Sequence, residues 1–269
     1  MNLVFLFPNI FVFIFGLCIG SFLNAVIYRL NQKKTLKGRS ICPVCKHQLE
    51  WRDLVPVFSF LVLGRKCRYC KEKISWQYPL VEIVTAVIFL IIFNINLQSF
   101  ILSTSSFGGF LYLAFLFYIA SVFVIILFYD LNYYIIPDKI LFPAIIITAL
   151  YRLSGLINWD LLSILSYVFA VIIGAGFFLT IFLFSKGRWM GFGDVKLAVL
   201  MGLLLGFPNI LAALFMAFLS GAVVGSVLLI LKKKGLKSEI PFGPFLVLGT
   251  FIALFWGDTI INWYMAVSF

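Results

Sequence analysis

Two aspartates and four cysteines carry most of the chemistry that this sequence could perform. Asp130 lies in Phe128-Tyr129-Asp130-Leu131, and Asp194 lies in Gly191-Phe192-Gly193-Asp194-Val195-Lys196. Each stands where an apolar stretch meets polar residues. Acidic groups at the edge of such stretches are costly and few, and this chain has only ten Asp and Glu. Two carboxyls brought together cannot both ionise cheaply, so a pair shares a proton. One then serves as the base that takes a proton from water, and the other as the acid that supports a carbonyl oxygen and later the leaving amine. That is peptide hydrolysis without a covalent intermediate. Gly191 and Gly193 suit such a site, because they let a substrate strand or a neighbouring helix come close. Other readings stand beside this one. An Asp before an apolar run is a standard helix cap, which would account for Asp194 and also for Asp138 in Ile136-Pro137-Asp138. Asp130 could mark the water interface, and Glu82 could pair with a nearby Arg.

The cysteines form a second constellation: Cys42-x2-Cys45, 21 residues, Cys67-x2-Cys70. Two close pairs let four thiolates converge tetrahedrally on one zinc ion. Unligated or redox-active thiols are the alternative. His47 could substitute as a ligand but reads as a solvated loop residue, and Cys18 falls in an apolar stretch as a small buried hydrophobe.

The elements that must position these groups are membrane helices. Of 269 residues, 63% are hydrophobic and 12% charged, a composition that excludes a water-soluble domain. A crossing needs roughly 20 residues at about 1.5 Å per residue through about 30 Å of hydrocarbon. Eight stretches are read as spans, near residues 4 to 28, 80 to 99, 109 to 129, 139 to 155, 161 to 184, 195 to 207, 209 to 231 and 244 to 264. Backbone in lipid must satisfy its own hydrogen bonds, and period-2 patterning is absent, so these are helices. The expected fold is all-α: a polytopic transmembrane helical bundle of about eight spans with a cytoplasmic zinc-binding loop. The expected parts are a first transmembrane helix at 1-28, the cysteine loop at 29-79 and a membrane-embedded core at 80-269. The first stretch begins without Lys or Arg and is too long for a signal peptide, so it is expected to remain.

Charge orients the chain. The loop from Arg29 to Ser75 holds twelve of the 21 basic residues. Alternating eight spans places Lys139, Lys186, Arg188, Lys196, Lys232, Lys233, Lys234 and Lys237 on the same side, with Arg152 alone opposite. Basic loops face the cytoplasm, so both termini are expected outside. That would put Asp130 and Asp194 at the cytoplasmic boundary and keep the loop thiols reduced. The net charge of +11 follows this topology and does not mark a nucleic-acid surface.

An ordered set of motifs then resembles the bacterial prepilin peptidases, or type IV leader peptidases, of the GxGD aspartyl protease class. The set comprises Gly20-Ser21-Phe22-Leu23-Asn24 through Tyr28-Arg29, the paired cysteines, Tyr78-Pro79-Leu80-Val81-Glu82, Asp130 with Ile136-Pro137-Asp138, Gly191 to Lys196, and Pro241-Phe242-Gly243-Pro244. The resemblance implies an enzyme of the bacterial inner membrane that cuts the short basic leader from type IV prepilins or pseudopilins, for a pilus or for protein secretion. It further implies methylation of the new N-terminal amine with S-adenosylmethionine. Carried across, the catalytic pair falls on Asp130 and Asp194 and not on Asp138, the active-site motif takes in Gly191, Gly193 and Lys196, and Cys42, Cys45, Cys67 and Cys70 fall on the zinc loop. Asn31, Gln77 and Phe192 depart from the usual residues at their positions. No glycine-rich nucleotide loop following a strand marks a methyl-donor pocket. A peptidase alone, with a structural zinc loop, and a transport or assembly protein whose acids bind ions or protons are the competing readings. A prepilin's scissile bond, between a basic leader and an apolar helix, would lie at the interface where the two aspartates are expected. The few loop acids, Glu50, Asp53, Glu72 and Glu239, would have to receive that leader.

Overall fold

The computed structural model describes residues 3–102, 106–153, 161–231 and 240–268. The basic run Lys232, Lys233, Lys234 and Lys237, and also Glu239, lie outside the described residues. The described chain holds eight long helices: α1 Leu3–Asn31, α3 Gln77–Leu102, α4 Ser106–Tyr133, α5 Asp138–Leu153, α6 Leu161–Ser185, α7 Phe192–Leu205, α8 Asn209–Ile230 and α9 Gly243–Ser268. A short helix, α2 Phe58–Val62, and a 3-10 turn at Trp51–Asp53 lie between α1 and α3. These eight helices correspond to the eight apolar stretches, so the all-helical membrane fold holds. Six of them are long and apolar enough to cross a membrane. The exceptions are α5, of 16 residues, and α7, of 14. At about 1.5 Å per residue, α7 reaches only about 21 Å, short of the hydrocarbon thickness.

The chain forms two compact units, residues 1–125 and 126–269. In the first, α1 packs antiparallel on α3, because small residues let the two backbones approach. A Cβ on Gly16 would sit 2.6 Å from the Ala86 Cα, and one on Gly20 would sit 2.5 Å from the Glu82 Cα. Gly16 and Gly20 are one helical turn apart, the spacing that favours helix association in lipid, where apolar surface alone supplies no preference for protein over lipid. Phe89 fills the pair's flank, stacked on Phe117 with ring centroids 4.2 Å apart. Asn24 Nδ2 donates to the Tyr78 carbonyl at 2.9 Å.

In the second unit α7 is the hub, packing against α5, α6, α8 and α9. Its buried side chains include Asp194, Leu197, Ala198, Leu200 and Met201. Gly202 allows α6 to close on it, for a Cβ there would meet the Val171 backbone at 2.7 Å. Burial of its body, from Asp194 to Leu204, among these neighbours is how so short a helix keeps away from lipid. At its C-terminus Arg152, the one basic residue that the alternation of spans sets apart from the other twenty, donates to the carbonyls of Leu203 at 3.1 Å and Leu204 at 2.5 Å. It also lies 4.3 Å over the Tyr167 ring. A cation on orphan carbonyls at a helix C-terminus is favourable, which explains why Arg152 breaks the charge pattern.

Candidate functional site: two buried carboxyls and a four-cysteine cluster

Asp130 and Asp194 come together in the second unit. Asp130 occupies the last turn of α4 and is 5% exposed, while Asp194 occupies the first turn of α7 and is 9% exposed. They are close enough for the charge of Asp130 to act on Asp194. Each is held by the beginning of a helix. Gly191, the residue that caps α7, donates its N–H to the Asp194 carboxylate, while the Asp194 N–H returns to the Gly191 carbonyl at 3.2 Å. Asp194 therefore does not cap α7 itself but reaches back to the cap from the third helical position. Gly243, the first residue of α9, donates its N–H to Asp130. Orphan N–H groups at helix starts are natural partners of carboxylate oxygens.

The glycines serve these contacts in different ways. A Cβ on Gly243 would lie 2.5 Å from Asp130 Oδ2, and one on Gly193 would meet Ile136 at 3.2 Å. Gly191 leaves its side open, with Asp194 Oδ2 at 4.0 Å from where a Cβ would stand. Lys196 does not turn to the aspartates. Its ammonium is bonded to Asp138 Oδ1 and lies between the rings of Phe142 and Phe192, 5.5 and 5.6 Å from their centroids. Asp138 opens α5, as its position before an apolar run suggested, and its carboxylate ties α5 to α7 beside the pair. Gly243 escapes a search for reactive side chains because its contribution is a backbone N–H and the lack of a Cβ. The available signal is a Gly-Pro pair at the start of an apolar run, where Pro favours the first helical turn.

In the first unit the four thiols of Cys42, Cys45, Cys67 and Cys70 all lie within 4.8 Å of one another. Cys42 and Cys70 sulfurs are 3.9 Å apart. Four sulfurs at about 2.3 Å from one zinc would stand about 3.8 Å apart at a tetrahedron's edges, so the donor set and its spacing fit a metal ion of that kind. Two near-identical turns build the cluster. Cys42 N–H donates to the His47 carbonyl at 2.9 Å and Cys67 N–H to the Glu72 carbonyl at 2.8 Å. Lys46 and Lys71 follow the two C-x2-C pairs, each with φ 60, and single bridges Ile41–Gln48 and Lys66–Lys73 close the turns. The two turns repeat at an offset of 25 positions that carries on to Trp51 and Trp76, a periodicity of Cys-x2-Cys-Lys that the cysteine spacing alone did not bring out.

Asp53, in the 3-10 turn that follows the first pair, is tied to the second pair through Arg68 Nε at 2.8 Å and the Tyr69 hydroxyl at 3.4 Å. Burial alone would raise the Cys67 thiol. The N–H groups of Cys70 and Tyr69 and the thiols of Cys70 and Cys42 outweigh it and bring Cys67 down to about 7. For Cys70 the Glu72 N–H pulls downward, but burial and the three neighbouring thiols push it up to about 11. His47 packs at a tilt against Tyr69, ring centroids 3.6 Å apart, and is not among the four clustered ligand groups. Among the described residues Glu82 makes no ion pair with an Arg. Its carboxylate accepts the Val57 N–H at 2.7 Å, which fastens the loop to α3. Arg29, at the end of α1, holds the start of the loop through the carbonyls of Leu36, Gly38 and Arg39.

Fold and site together define a multi-pass helical membrane protein with two buried, interacting carboxyls and a four-thiol cluster outside its spans. Residues 14–95 match the model of the bacterial peptidase A24 N-terminal domain, and residues 117–226 match that of the type IV leader peptidase family. The chain is 32% identical to the prepilin leader peptidase/N-methyltransferase of Bacillus subtilis (strain 168), over 96% of this chain and 98% of that one. It is 30% identical to the protein of the same name from Legionella pneumophila, over 96% and 95%, and 31% identical to that from Aeromonas hydrophila, over 94% and 92%. No solved structure matches the chain. The chain belongs to the type IV leader peptidase family.

Proposed function

We propose that this chain is an aspartyl peptidase of the bacterial inner membrane that removes the basic leader from type IV prepilins or pseudopilins and methylates the amine so exposed. The observation that carries the reading is the meeting of Asp130 and Asp194, buried and in electrostatic contact. In its ionised form one carboxyl takes a proton from the attacking water, and the other, protonated, supports the scissile carbonyl and passes its proton to the leaving amine. Gly243 N–H and Gly191 N–H fix the orientation of the two carboxyls. Open space beside Gly191 leaves room for an extended peptide. With α4 ending and α7 beginning at the cytoplasmic boundary, the pair stands where a prepilin's leader gives way to its membrane helix. On this reading both termini face outward and the cysteine segment faces the cytoplasm.

Cys42, Cys45, Cys67 and Cys70 would hold zinc, whose part in a closed four-thiolate site is to fix the fold of the segment. S-adenosylmethionine is the methyl donor in the reading supported by the names of the relatives. The described residues hold no named strand, so a strand, glycine loop and helix of the dinucleotide-binding sort is not how they would bind it.

The test is leader removal from a purified prepilin by the zinc-loaded enzyme, read by mass spectrometry of the pilin N-terminus. Asp130→Asn and Asp194→Asn should each insert normally and abolish cleavage. Full cleavage by either variant would remove the dyad. Transfer of labelled methyl to the cut pilin separates the two-activity reading from a peptidase alone.

A further inference from the structure

We infer that the exposed face of α2 lies on the anionic surface of the bilayer and docks the cysteine-bearing segment there. In α2 the side chains of Phe58, Leu61 and Val62 are 63%, 66% and 65% exposed. They stand at positions i, i+3 and i+4 and so share one side of the helix. Phe60 points the other way and is buried, its ring 5.0 Å from that of Trp76. An apolar face so open on a polar segment marks an interaction surface.

Two observations place this face at the membrane. First, Val57, which caps α2, donates its N–H to Glu82 at 2.7 Å. Glu82 is five residues beyond the start of α3, about 7.5 Å along a helix that crosses the bilayer. Val57 has φ 59 and ψ −48, an unfavourable conformation for a β-branched residue. The tie to α3 holds that turn and sets α2 at the depth where the membrane boundary falls. Secondly, α1 and α3 run antiparallel side by side, so the segment leaves and re-enters the membrane on the same face.

Charge then selects the occupant. Between Arg29 and Ser75 there are twelve basic residues and three acidic ones, Glu50, Asp53 and Glu72, and Asp53 is already paired with Arg68. Arg65, three residues beyond the end of α2, lies 4.6 Å over the exposed Trp76 ring. Aromatic and apolar side chains beside unpaired cations are the composition of a surface that settles at anionic headgroups. A basic prepilin leader would be repelled by the same charge.

The experiment places a nitroxide at Leu61→Cys in the zinc-loaded full chain, with Cys18→Ala, in nanodiscs of phosphatidylglycerol or of phosphatidylcholine. The ratio of oxygen to nickel-chelate collision rates should exceed that of a label at Lys34→Cys by roughly tenfold in phosphatidylglycerol. It should fall in phosphatidylcholine, and also in phosphatidylglycerol when Arg65→Glu and Lys66→Glu are introduced. Val62→Cys serves as a second labelling site should Leu61→Cys lose its zinc. A ratio equal to that at Lys34→Cys overturns docking, as does a label that is immobilised only when prepilin is added. Equal ratios in the two lipids overturn the part assigned to the cations.

Discussion

Replacing Gly243 by Ala tests the geometry of the proposed catalytic pair without touching an ionisable group. A Cβ at that position would stand 2.5 Å from Asp130 Oδ2, 3.1 Å from Cγ and 3.5 Å from Cβ. Ordinary contact begins near 3.4 Å, so the oxygen must withdraw by 3.4 less 2.5, about 0.9 Å. Asp130 is buried and its oxygen accepts the Gly243 N–H, so it cannot swing aside without giving up that bond. Misplacement of a reacting group by about 1 Å can cost a factor of 10². We therefore expect leader cleavage by Gly243→Ala to fall roughly 10²-fold, about 2.7 kcal/mol in the activation barrier. Gly176→Ala and Gly225→Ala are the controls, since a Cβ at either would meet nothing within 4 Å. Both should cleave a purified prepilin as the unaltered chain does. Methyl transfer to a synthetic peptide that already begins at the mature N-terminus should survive Gly243→Ala, which shows that the variant is folded. Cleavage by Gly243→Ala within about threefold of the unaltered rate, less than 1 kcal/mol, would refute the assignment of Gly243 as the residue that positions Asp130.

The remaining expectations follow from the other contacts. Purified protein should hold about one zinc per chain, lost when Cys42 and Cys45 become Ser, by elemental analysis. Uptake of zinc by metal-free protein should strengthen as pH rises, because binding requires ionised thiols and releases their protons; uptake independent of pH between 6 and 8, a window around the Cys67 value of about 7, would contradict thiolate ligation. Lys196→Met and Asp138→Asn should each lower cleavage by about tenfold or less, since a partly exposed pair contributes about 1 kcal/mol at most, and Lys196→Arg should restore more of it than Lys196→Met keeps. Gly20→Val should destabilise α1 against α3 by about 1–3 kcal/mol, seen as a lower melting temperature, because its Cβ meets Glu82 backbone at 2.5 Å and backbone cannot rotate away.

Helix count, helix limits and the cysteine cluster were legible because each depends on local pattern. Apolar runs are set by the lipid, and two C-x2-C pairs have the spacing that lets four thiols converge. Even the meeting of Asp130 and Asp194, 64 positions apart, could be argued from their places at the ends of two runs and from the family's motifs. What the sequence hid were contacts made by backbone. Asp194 read as a cap because an Asp before an apolar run usually is one, yet Gly191 holds that place and Asp194 answers it from inside the helix. The role of Glu82 is likewise a bond to a main-chain N–H, which no side-chain pairing rule could name. Arg152 looked like an exception to charge topology until the carbonyls of α7 supplied its reason.

The short length of α7 and the position of the two carboxyls have one cause. A helix that crossed the whole bilayer would keep both its ends in the headgroup region, where water satisfies them. At 14 residues α7 must end inside protein, and its orphan groups need partners there. Arg152 meets the carbonyl end, and at the other end Gly191 N–H meets Asp194. Asp130 meets the start of α9 in the same way. Helix starts are therefore where N–H donors accumulate, and two carboxyls can be buried beside them with each one held. Lengthening α7 by a turn of Leu and Ala inserted after Gly202 would carry the Leu203 and Leu204 carbonyls one turn away from Arg152 while leaving the Asp194 end in place. Stability should then fall further than cleavage per folded molecule, and the reverse order would show that the two ends of α7 are not independent.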